Sequence, residues 1–397
     1  MKVVRTFRYR VYPTRRQVEQ IDSCLETSRL LYNHLLAEKR DAYKFAGKSL
    51  SRYDLQKQMG GNKILYAVLV RGVIYRLDIA FQNFFRRCKE GAKEKGFPRF
   101  KPKNRFMSLI SNNTPPNPKG IGLKTKFPQI GKLKTIYDRP IRGTPKTLAL
   151  KKTPTGKYFL FIACEIELKV PKRNRKPAVG IDVGLNHAIT TSDGKFFDSP
   201  KPLKVLSKKL ARQHRKFSRT KLHSNNHEKQ RLRLARVYER IANIRQDWNH
   251  KITTILANTY GTIKIEALNI QNMLKNHRLA KSISDVSWGD LMSKLAYKVE
   301  QTGGRLIKVD PRNTSQECSA CGAVVRKTLS QRKHSCPDCG LVLDRDVNAA
   351  KNILNRNSIE ICEADAKSKP DREDVRRRKS ALFSMTQEAP KTGGIPI

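Results

Sequence analysis

Apolar and polar residues alternate at the start of the chain, where Phe7, Tyr9 and Val11 are separated by arginines. This period of two predicts a strand. Farther along, apolar residues recur every three or four positions as far as Gly47, and they do so again over residues 66–88. That spacing predicts two helices, each with one face buried in a hydrophobic core.

Residues 96–167 have a different texture, with frequent glycine and proline and only short apolar runs. Such a pattern predicts a strand-rich barrel or sandwich. We expect the first strand to join this sheet, so that residues 15–95 form a helical insertion in it.

The second half of the chain mixes strand-like and helix-like segments. Three short apolar runs separated by turns, within residues 178–197, predict a meander. Further strands are predicted at residues 262–268, 305–309 and 341–343, and helices at residues 284–301 and 346–355.

Charge identifies the class of partner. The chain has 397 residues, with 82 Lys and Arg against 34 Asp and Glu, a net charge of +48. A polyanion is the natural partner for such an excess, and even the solvated basic surface of a ribosomal protein implies nucleic acid. Residues 201–251, with helical patterning on both sides of residues 223–227, hold 16 basic and 3 acidic residues, a net charge of +13. We favour a nucleic-acid cradle there over a merely solvated helical face.

The sequence predicts a cytoplasmic protein with no membrane partner. Its N-terminus lacks the apolar core of a signal peptide, and its apolar runs are too short to span a bilayer. In the cytosol its eight cysteines are expected to stay reduced.

Four cysteines form two Cys-x-x-Cys pairs, Cys318 with Cys321 and Cys336 with Cys339, separated by 14 residues. This spacing predicts one zinc ion. A redox interpretation would explain one pair but not both. Four thiolates leave no open coordination position, so the zinc is expected to be structural. We interpret the nearby His334 as a bystander or a phosphate contact.

Three acidic residues lie at positions that suggest a specific role for their carboxylates. Asp182 ends an apolar strand, Glu266 lies inside another, and Asp346 is at a predicted helix start. Taken singly, Asp182 could be a turn residue, Glu266 an ion-pair partner and Asp346 a helix N-cap. Asp344 could be the metal ligand instead, with Asp346 as the N-cap. Together they predict a site for two Mg²⁺ or Mn²⁺ ions that hydrolyses phosphodiesters.

Five segments carry a family resemblance: FRYRVYPT, GIDVGLNHAI, IKIEALNI, TSQECSACG and CPDCGLVLDRDVNAAKNIL. They resemble the transposon-encoded TnpB proteins, which are similar to the compact type V CRISPR effectors. The resemblance extends to about residue 354. It implies that Asp182, Glu266 and Asp346 are the catalytic, Mg²⁺-binding residues of a RuvC nuclease. All three acidic positions match, so a nuclease-dead relative is not expected.

The resemblance also implies an architecture of the α/β plus β-barrel class. An RNase H-like (RuvC) nuclease domain contains an inserted zinc ribbon and follows a wedge-type β-barrel that carries a helical recognition insertion. The expected boundaries are 1–14 and 96–170 for the barrel, 15–95 for the insertion, 171–310 and 341–357 for the nuclease, 311–340 for the ribbon and 358–397 for a disordered tail.

The function implied is that of an RNA-guided DNA endonuclease, which cuts double-stranded DNA beside a short transposon-adjacent motif in the prokaryotic cytosol or nucleoid. Its implied partners are a guide RNA from the transposon end and the target DNA, with the protein a monomer on its RNA. Two alternatives remain open at this point. One is a non-cleaving accessory or regulator of transposition, and the other is a strand-transferring transposase.

Overall fold

The computed structural model describes residues 2–61, 64–92, 94–111, 124–167, 171–328 and 331–357. They fall into two compact units: unit one holds the described residues up to 167, and unit two those from 171 onward. The tail that we expected to be disordered, residues 358–397, lies outside the described residues. None of the described helices is both long and apolar enough to cross a membrane.

Unit one is built on a six-stranded sheet in which neighbouring strands are antiparallel. Its strands are β1 (Lys2–Tyr12), β2 (Ser108–Ser111), β3 (Lys124–Phe127), β4 (Gly131–Ile136), β5 (Thr144–Lys152) and β6 (Tyr158–Glu167). The order is β2-β5-β6-β1-β4-β3. The first strand pairs with both β6 and β4, as predicted. Because β2 and β3 do not pair among the described residues, the expected barrel is a curled half-barrel.

Among the described residues of unit one, three α-helices share a core with this sheet: α1 (Arg15–Ala46), α2 (Arg52–Gln58) and α3 (Ala67–Lys89). Thr14 and Gln17 form the capping box that their spacing suggests, and Gly47 ends α1 with a φ of 61°. The alternation in β1 buries Tyr9 and Val11 in a core shared with α1 and α3. The helical insertion therefore supplies half of the core of unit one.

Unit two contains a five-stranded mixed sheet in the order β11-β10-β7-β8-β9. Its strands are β7 (Ala178–Asp182), β8 (Ile189–Thr191), β9 (Phe196–Phe197), β10 (Thr262–Glu266) and β11 (Arg305–Val309). The meander predicted over residues 178–197 is present as β7, β8 and β9, which pair antiparallel. Strands β7, β10 and β11 are parallel, so their C-terminal ends lie along one edge of the sheet.

In the described part of unit two, seven helices accompany this sheet: α4 (Pro202–Val205), α5 (Ser207–Ser218), α6 (Asn225–Thr259), α7 (Ile270–Met273), α8 (His277–Val286), α9 (Trp288–Gln301) and α10 (Arg345–Asn355). The single helix predicted over residues 284–301 is wrong at its start. Ser287 has a φ of 57° and divides α8 from α9. Asn249 stabilises this break, because its Nδ2 donates to Ser287 Oγ at 3.1 Å and to Asp290 Oδ2 at 2.6 Å. A two-stranded hairpin, β12 (Lys333–Ser335) with β13 (Val342–Asp344), precedes α10.

Helix α10 packs against β7 at Gly180, and this contact sets the distance between the two elements. A Cβ atom at residue 180 would lie 2.0 Å from Ala350 O and 2.6 Å from Leu354 N. We expect Gly180→Ala to push α10 away and to lower the free energy of unfolding by about 1–3 kcal/mol, measured by urea denaturation. Gly289→Ala in α9 is the matched control, since an added Cβ meets nothing within 4 Å. Equal effects of the two substitutions would contradict this prediction.

Candidate functional site

The four cysteines predicted to bind zinc lie together in unit two. The Sγ atoms of Cys318 and Cys339 are 3.6 Å apart, and those of Cys321 and Cys336 are 3.5 Å apart. All four Sγ atoms lie within 4.8 Å of one another. A zinc ion with four thiolates at about 2.3 Å places the sulfur atoms about 3.8 Å apart. The cluster therefore fits one zinc ion with no open coordination position.

The same backbone hydrogen bonds hold both Cys-x-x-Cys turns. The N–H groups of Cys318 and Cys336 each donate to the carbonyl five residues later, at 2.8 and 2.9 Å. The N–H groups of Gly322 and Gly340 each donate back to the carbonyl of that cysteine at 3.0 Å. Both glycines have positive φ, 78° and 72°, which side chains disfavour. The repeated geometry preorganises two thiolates on each turn.

The proposed phosphate contact of His334 is wrong. The alternation of β12 turns this side chain inward, and it is fully buried. Its Nδ1 atom is hydrogen-bonded to Lys327 Nζ. A residue with no exposed surface cannot reach a nucleic-acid phosphate, so His334 packs the cysteine module from within.

Two of the three predicted acidic residues end adjacent parallel strands. Asp182 is the last residue of β7 and Glu266 the last residue of β10. The register of these strands pairs Ile181 with Ile265, so the two carboxylates follow at the same edge of the sheet. Asp346 lies in the first turn of α10, which packs on β7. The fold thus brings all three acids to one region of unit two.

The grouping of the acids affects the ionisation of Asp182. Burial, together with repulsion from Glu266 and Asp346, raises the pKa of Asp182 to about 8. Burial also raises the pKa values of Glu266 and Asp346. Three carboxylates that all resist ionisation provide a favourable environment for a cation with oxygen ligands.

The alternative role of Glu266 as an ion-pair partner is not supported by its contacts. Its Oε1 atom accepts a hydrogen bond from Thr314 Oγ1. Arg356 is near enough to lower the pKa of Glu266, but its guanidinium is bound to Glu317 Oε2 at 2.7 Å and to Asp310 O at 2.6 Å. Glu266 is therefore oriented by a hydroxyl group and keeps carboxylate lone pairs for another ligand.

Asp344, and not Asp346, caps α10. Its Oδ1 atom accepts from the N–H groups of Asp346 at 2.8 Å and Val347 at 3.2 Å. The interpretation of Asp346 as the N-cap is therefore wrong. The Asp346 carboxylate therefore does not serve as the cap, and Arg332 Nη1 lies 3.9 Å from its Oδ1.

Sequence reasoning missed two asparagines that join α10 to the cysteine module. Asn348 Oδ1 accepts from Ser319 N at 2.9 Å, and Asn348 Nδ2 donates to Glu317 O at 2.7 Å. Asn352, one turn later, donates to the same Glu317 carbonyl at 2.7 Å and to Thr314 O at 2.8 Å. Two asparagines at i and i+4 on the apolar face of a helix were the available signal, because buried amides need partners.

The two candidate metal sites differ in how tightly they are formed. In the described parts of the chain, one group of three or more His, Cys, Asp or Glu residues has all its ligand atoms within 4.8 Å of one another. That group is the four cysteines. The three carboxylates interact through space but are not packed as tightly as the thiolates. Their oxygen donors fit hard cations such as Mg²⁺ or Mn²⁺, which retain water ligands and need fewer protein ligands than zinc.

Three family models match this chain. A model described as "Probable transposase", of the IS605 OrfB type, matches residues 161–277. A Cas12f1-like TNB domain model matches residues 288–353, which include the cysteine module and most of α10. A helix-turn-helix domain model matches residues 1–48, where the structure has β1 and α1.

Individual proteins show the same similarity. A "Putative RNA-guided DNA endonuclease" from Streptomyces pristinaespiralis is 32% identical over 408 residues, covering 100% of this chain and 99% of that protein. The "Putative RNA-guided DNA endonuclease InsQ" of Escherichia coli K12 is 33% identical over 299 residues, 70% of this chain and 71% of that protein. A cryo-EM structure of a Cas12f1–sgRNA–target DNA complex matches 89% of this chain and 99% of that chain, at 17% identity and a TM-score of 0.36.

Proposed function

Because the chain belongs to the TnpB family of IS605-type proteins, we propose that it is an RNA-guided DNA endonuclease. The observation that carries this proposal is the 32% identity to a protein of that name across 100% of the chain. The net charge of +48 supports it, since both RNA and DNA are polyanions.

We propose that Asp182, Glu266 and Asp346 hold divalent cations, Mg²⁺ or Mn²⁺, at the edge of the five-stranded sheet. Two such cations, when bound, supply an activated water and stabilise the leaving oxygen. The chain itself contributes the burial around Asp182 and the Thr314 hydroxyl that orients Glu266. The cysteine module is proposed to hold one structural zinc ion.

The two units are assigned complementary roles in this proposal. In unit one, the half-barrel corresponds to the wedge domain and its helices to the recognition insertion, which we propose read the short transposon-adjacent motif beside the target. Unit two is proposed to be the RuvC-type nuclease, RNase H-like in fold, with the zinc ribbon inserted before α10. The protein is proposed to act as a monomer on a guide RNA derived from the transposon end.

The test begins with the RNA that copurifies with the protein from cells carrying the parent element. Sequencing should return one structured RNA that ends in a variable guide. The purified complex with Mg²⁺ should then linearise plasmids that carry the guide-matched sequence beside one short flanking motif. Binding without cutting would support the accessory or regulator instead, and joined-strand products would support a transposase.

The basic helices α5 and α6 give a quantitative prediction for RNA binding. Lys208, Lys209 and Arg212 are exposed on α5. The plot of log affinity against log salt has a negative slope. Replacing all three residues with alanine should reduce the magnitude of that slope by about three, because each phosphate contact contributes about one. Lys251→Ala is the control, since its ammonium already pairs with Asp247 Oδ2 at 2.7 Å. An unchanged slope in a filter-binding titration would remove α5 from the RNA interface.

A further inference from the structure

A histidine–aspartate pair lies in the meander of unit two, in a position that the proposed metal ligands leave unexplained. His187 is in the turn between β7 and β8, and Asp198 follows β9 directly. His187 Nδ1 and Asp198 Oδ1 are 2.8 Å apart, and the imidazole ring lies against Phe196 with the ring centroids 4.6 Å apart. Ala188 N donates to Phe197 O at 2.9 Å, which fixes the turn to β9. The imidazole is thus held from two sides.

The turn that carries His187 adjoins the proposed nuclease site. It begins directly after Asp182, the last residue of β7. Its Asn186 Oδ1 accepts from Arg332 Nη2 at 2.7 Å and Nε at 3.2 Å, in the amide orientation that satisfies both residues. Arg332 in turn lies 3.9 Å from Asp346 Oδ1. The turn therefore starts next to Asp182 in the chain, and Arg332 links its Asn186 to Asp346.

The Asp198 contact decides which ring nitrogen is available. A carboxylate accepts hydrogen bonds only, so Nδ1 is the protonated nitrogen that donates to it. Nε2 is then the nitrogen left for a substrate. Charged groups near the ring include Asp198 after β9, Arg332, which binds the Asn186 side chain, and Lys201, whose Nζ donates to Asn186 O at 3.1 Å. Asp198 orients the ring, as carboxylates behind catalytic histidines do.

An ordinary surface ion pair is the plainer explanation for these residues. His187 is 39% and Asp198 71% exposed at the side chain, and a pair so exposed adds at most about 1 kcal/mol to stability. Yet the pair is linked to the third acid, because Arg332 contacts both Asn186, the neighbour of His187, and Asp346. A histidine that is oriented by a carboxylate, supported by an aromatic ring and carried on the turn that follows Asp182 is well suited to proton transfer.

We propose that His187 is the general acid of the nuclease, oriented by Asp198, and that it protonates the sugar oxygen that leaves the scissile phosphate. This rests on the proposed function. In the step, a water oxygen bonds to phosphorus as the bond from phosphorus to the sugar oxygen breaks. The attacking water loses one proton to solvent, and the leaving oxygen gains one from His187 Nε2. The imidazole then regains a proton from solvent, so that one water is consumed in total.

The test compares two DNA substrates in single-turnover assays with the guide-loaded, full-length protein in Mn²⁺. One substrate is ordinary DNA, and the other carries sulfur in place of the bridging oxygen that leaves. End-labelling the wild-type products identifies which bridging oxygen that is. A thiol leaving group, with a pKa of about 8.5, departs without protonation. His187→Ala should cut ordinary DNA about 100-fold more slowly than wild type, and the sulfur substrate at nearly the wild-type rate. Asp198→Asn should show a smaller defect with the same suppression by sulfur.

The matched control is His277→Ala, because His277 is an exposed histidine at the start of α8 in unit two to which we assign no part in binding or catalysis. It should cut both substrates at the wild-type rate. If His187→Ala cuts ordinary DNA normally, or is equally slow on both substrates, His187 is not the general acid. If the wild-type complex cuts neither substrate, the proposed function itself fails and this role falls with it. His187→Gln should repeat the alanine result, which separates loss of the proton from loss of the side chain.

Discussion

Replacing Asp182 with asparagine is expected to abolish DNA cleavage and, at the same time, to stabilise the metal-free protein. The loss of cleavage should reach at least about 10³-fold, because a neutral amide cannot hold the cations that the reaction requires. The gain in stability follows from the pKa of the Asp182 carboxyl, which burial and the neighbouring acids raise to about 8. Such a group binds a proton more tightly in the folded state, so its contribution to stability falls as pH rises from about 4 to about 8.

Asparagine removes that penalty, so at pH 8, in buffer without Mg²⁺ or Mn²⁺, urea denaturation should give the variant a free energy of unfolding about 1–3 kcal/mol higher than that of wild type. Below about pH 4 the two proteins should be equally stable, since both side chains are then neutral. Guide RNA and target DNA should still bind, as measured by gel shift.

Asp193→Asn is the matched control with the opposite sign. Hydrogen bonds from Lys195 and Tyr260 outweigh the effect of burial and lower the pKa of Asp193 to about 2. Its replacement should therefore reduce stability above about pH 4 and leave cleavage unchanged. An Asp182→Asn protein that still cuts DNA would remove this residue from the catalytic set.

Replacing Cys336 with serine is expected to release zinc and to inactivate the nuclease through the displacement of Asp346. The ribbon holds α10 through Asn348 and Asn352, which bind backbone groups of residues 314–319. Structural zinc contributes on the order of 10 kcal/mol to small zinc domains, so the loss of one thiolate should leave this module unfolded. Metal content measured by mass spectrometry should fall from one zinc per chain to nearly none.

Cys88→Ser, which removes a half-buried cysteine of unit one, is the control and should retain both zinc and cleavage. Two results would contradict the prediction for Cys336→Ser. One is a protein that keeps its zinc but loses cleavage, and the other is a protein that loses its zinc but cuts normally.

Local patterns in the sequence were enough for the elements whose causes are local. The capping box at Thr14, the left-handed Gly47 and the two Cys-x-x-Cys turns depend on residues a few positions apart. The meander after Asp182 follows from short apolar runs and turns. In each case the interaction that forms the element lies within the segment that predicts it.

What the sequence did not predict depends on contacts between distant segments. The break at Ser287 requires Asn249 from another helix, and no local feature of residues 284–301 indicates it. His334 is buried because β12 pairs with β13, which places its ring inside the module. The three acids converge only because β7, β10 and α10 pack together, and spacing along the chain does not specify distance in space. Their roles as catalytic residues remain predictions.

The contact between Gly180 and α10 can form only late in synthesis, because the two elements are far apart along the chain. Strand β7 leaves the ribosome long before the segment that contains Asp346, and the site proposed here lacks one carboxylate until α10 docks. Domains form as their sequence emerges, so a chain still in synthesis holds a basic, nucleic-acid-binding surface without a complete cutting centre. The proposed nuclease can therefore become active only after α10 has been synthesised and has docked.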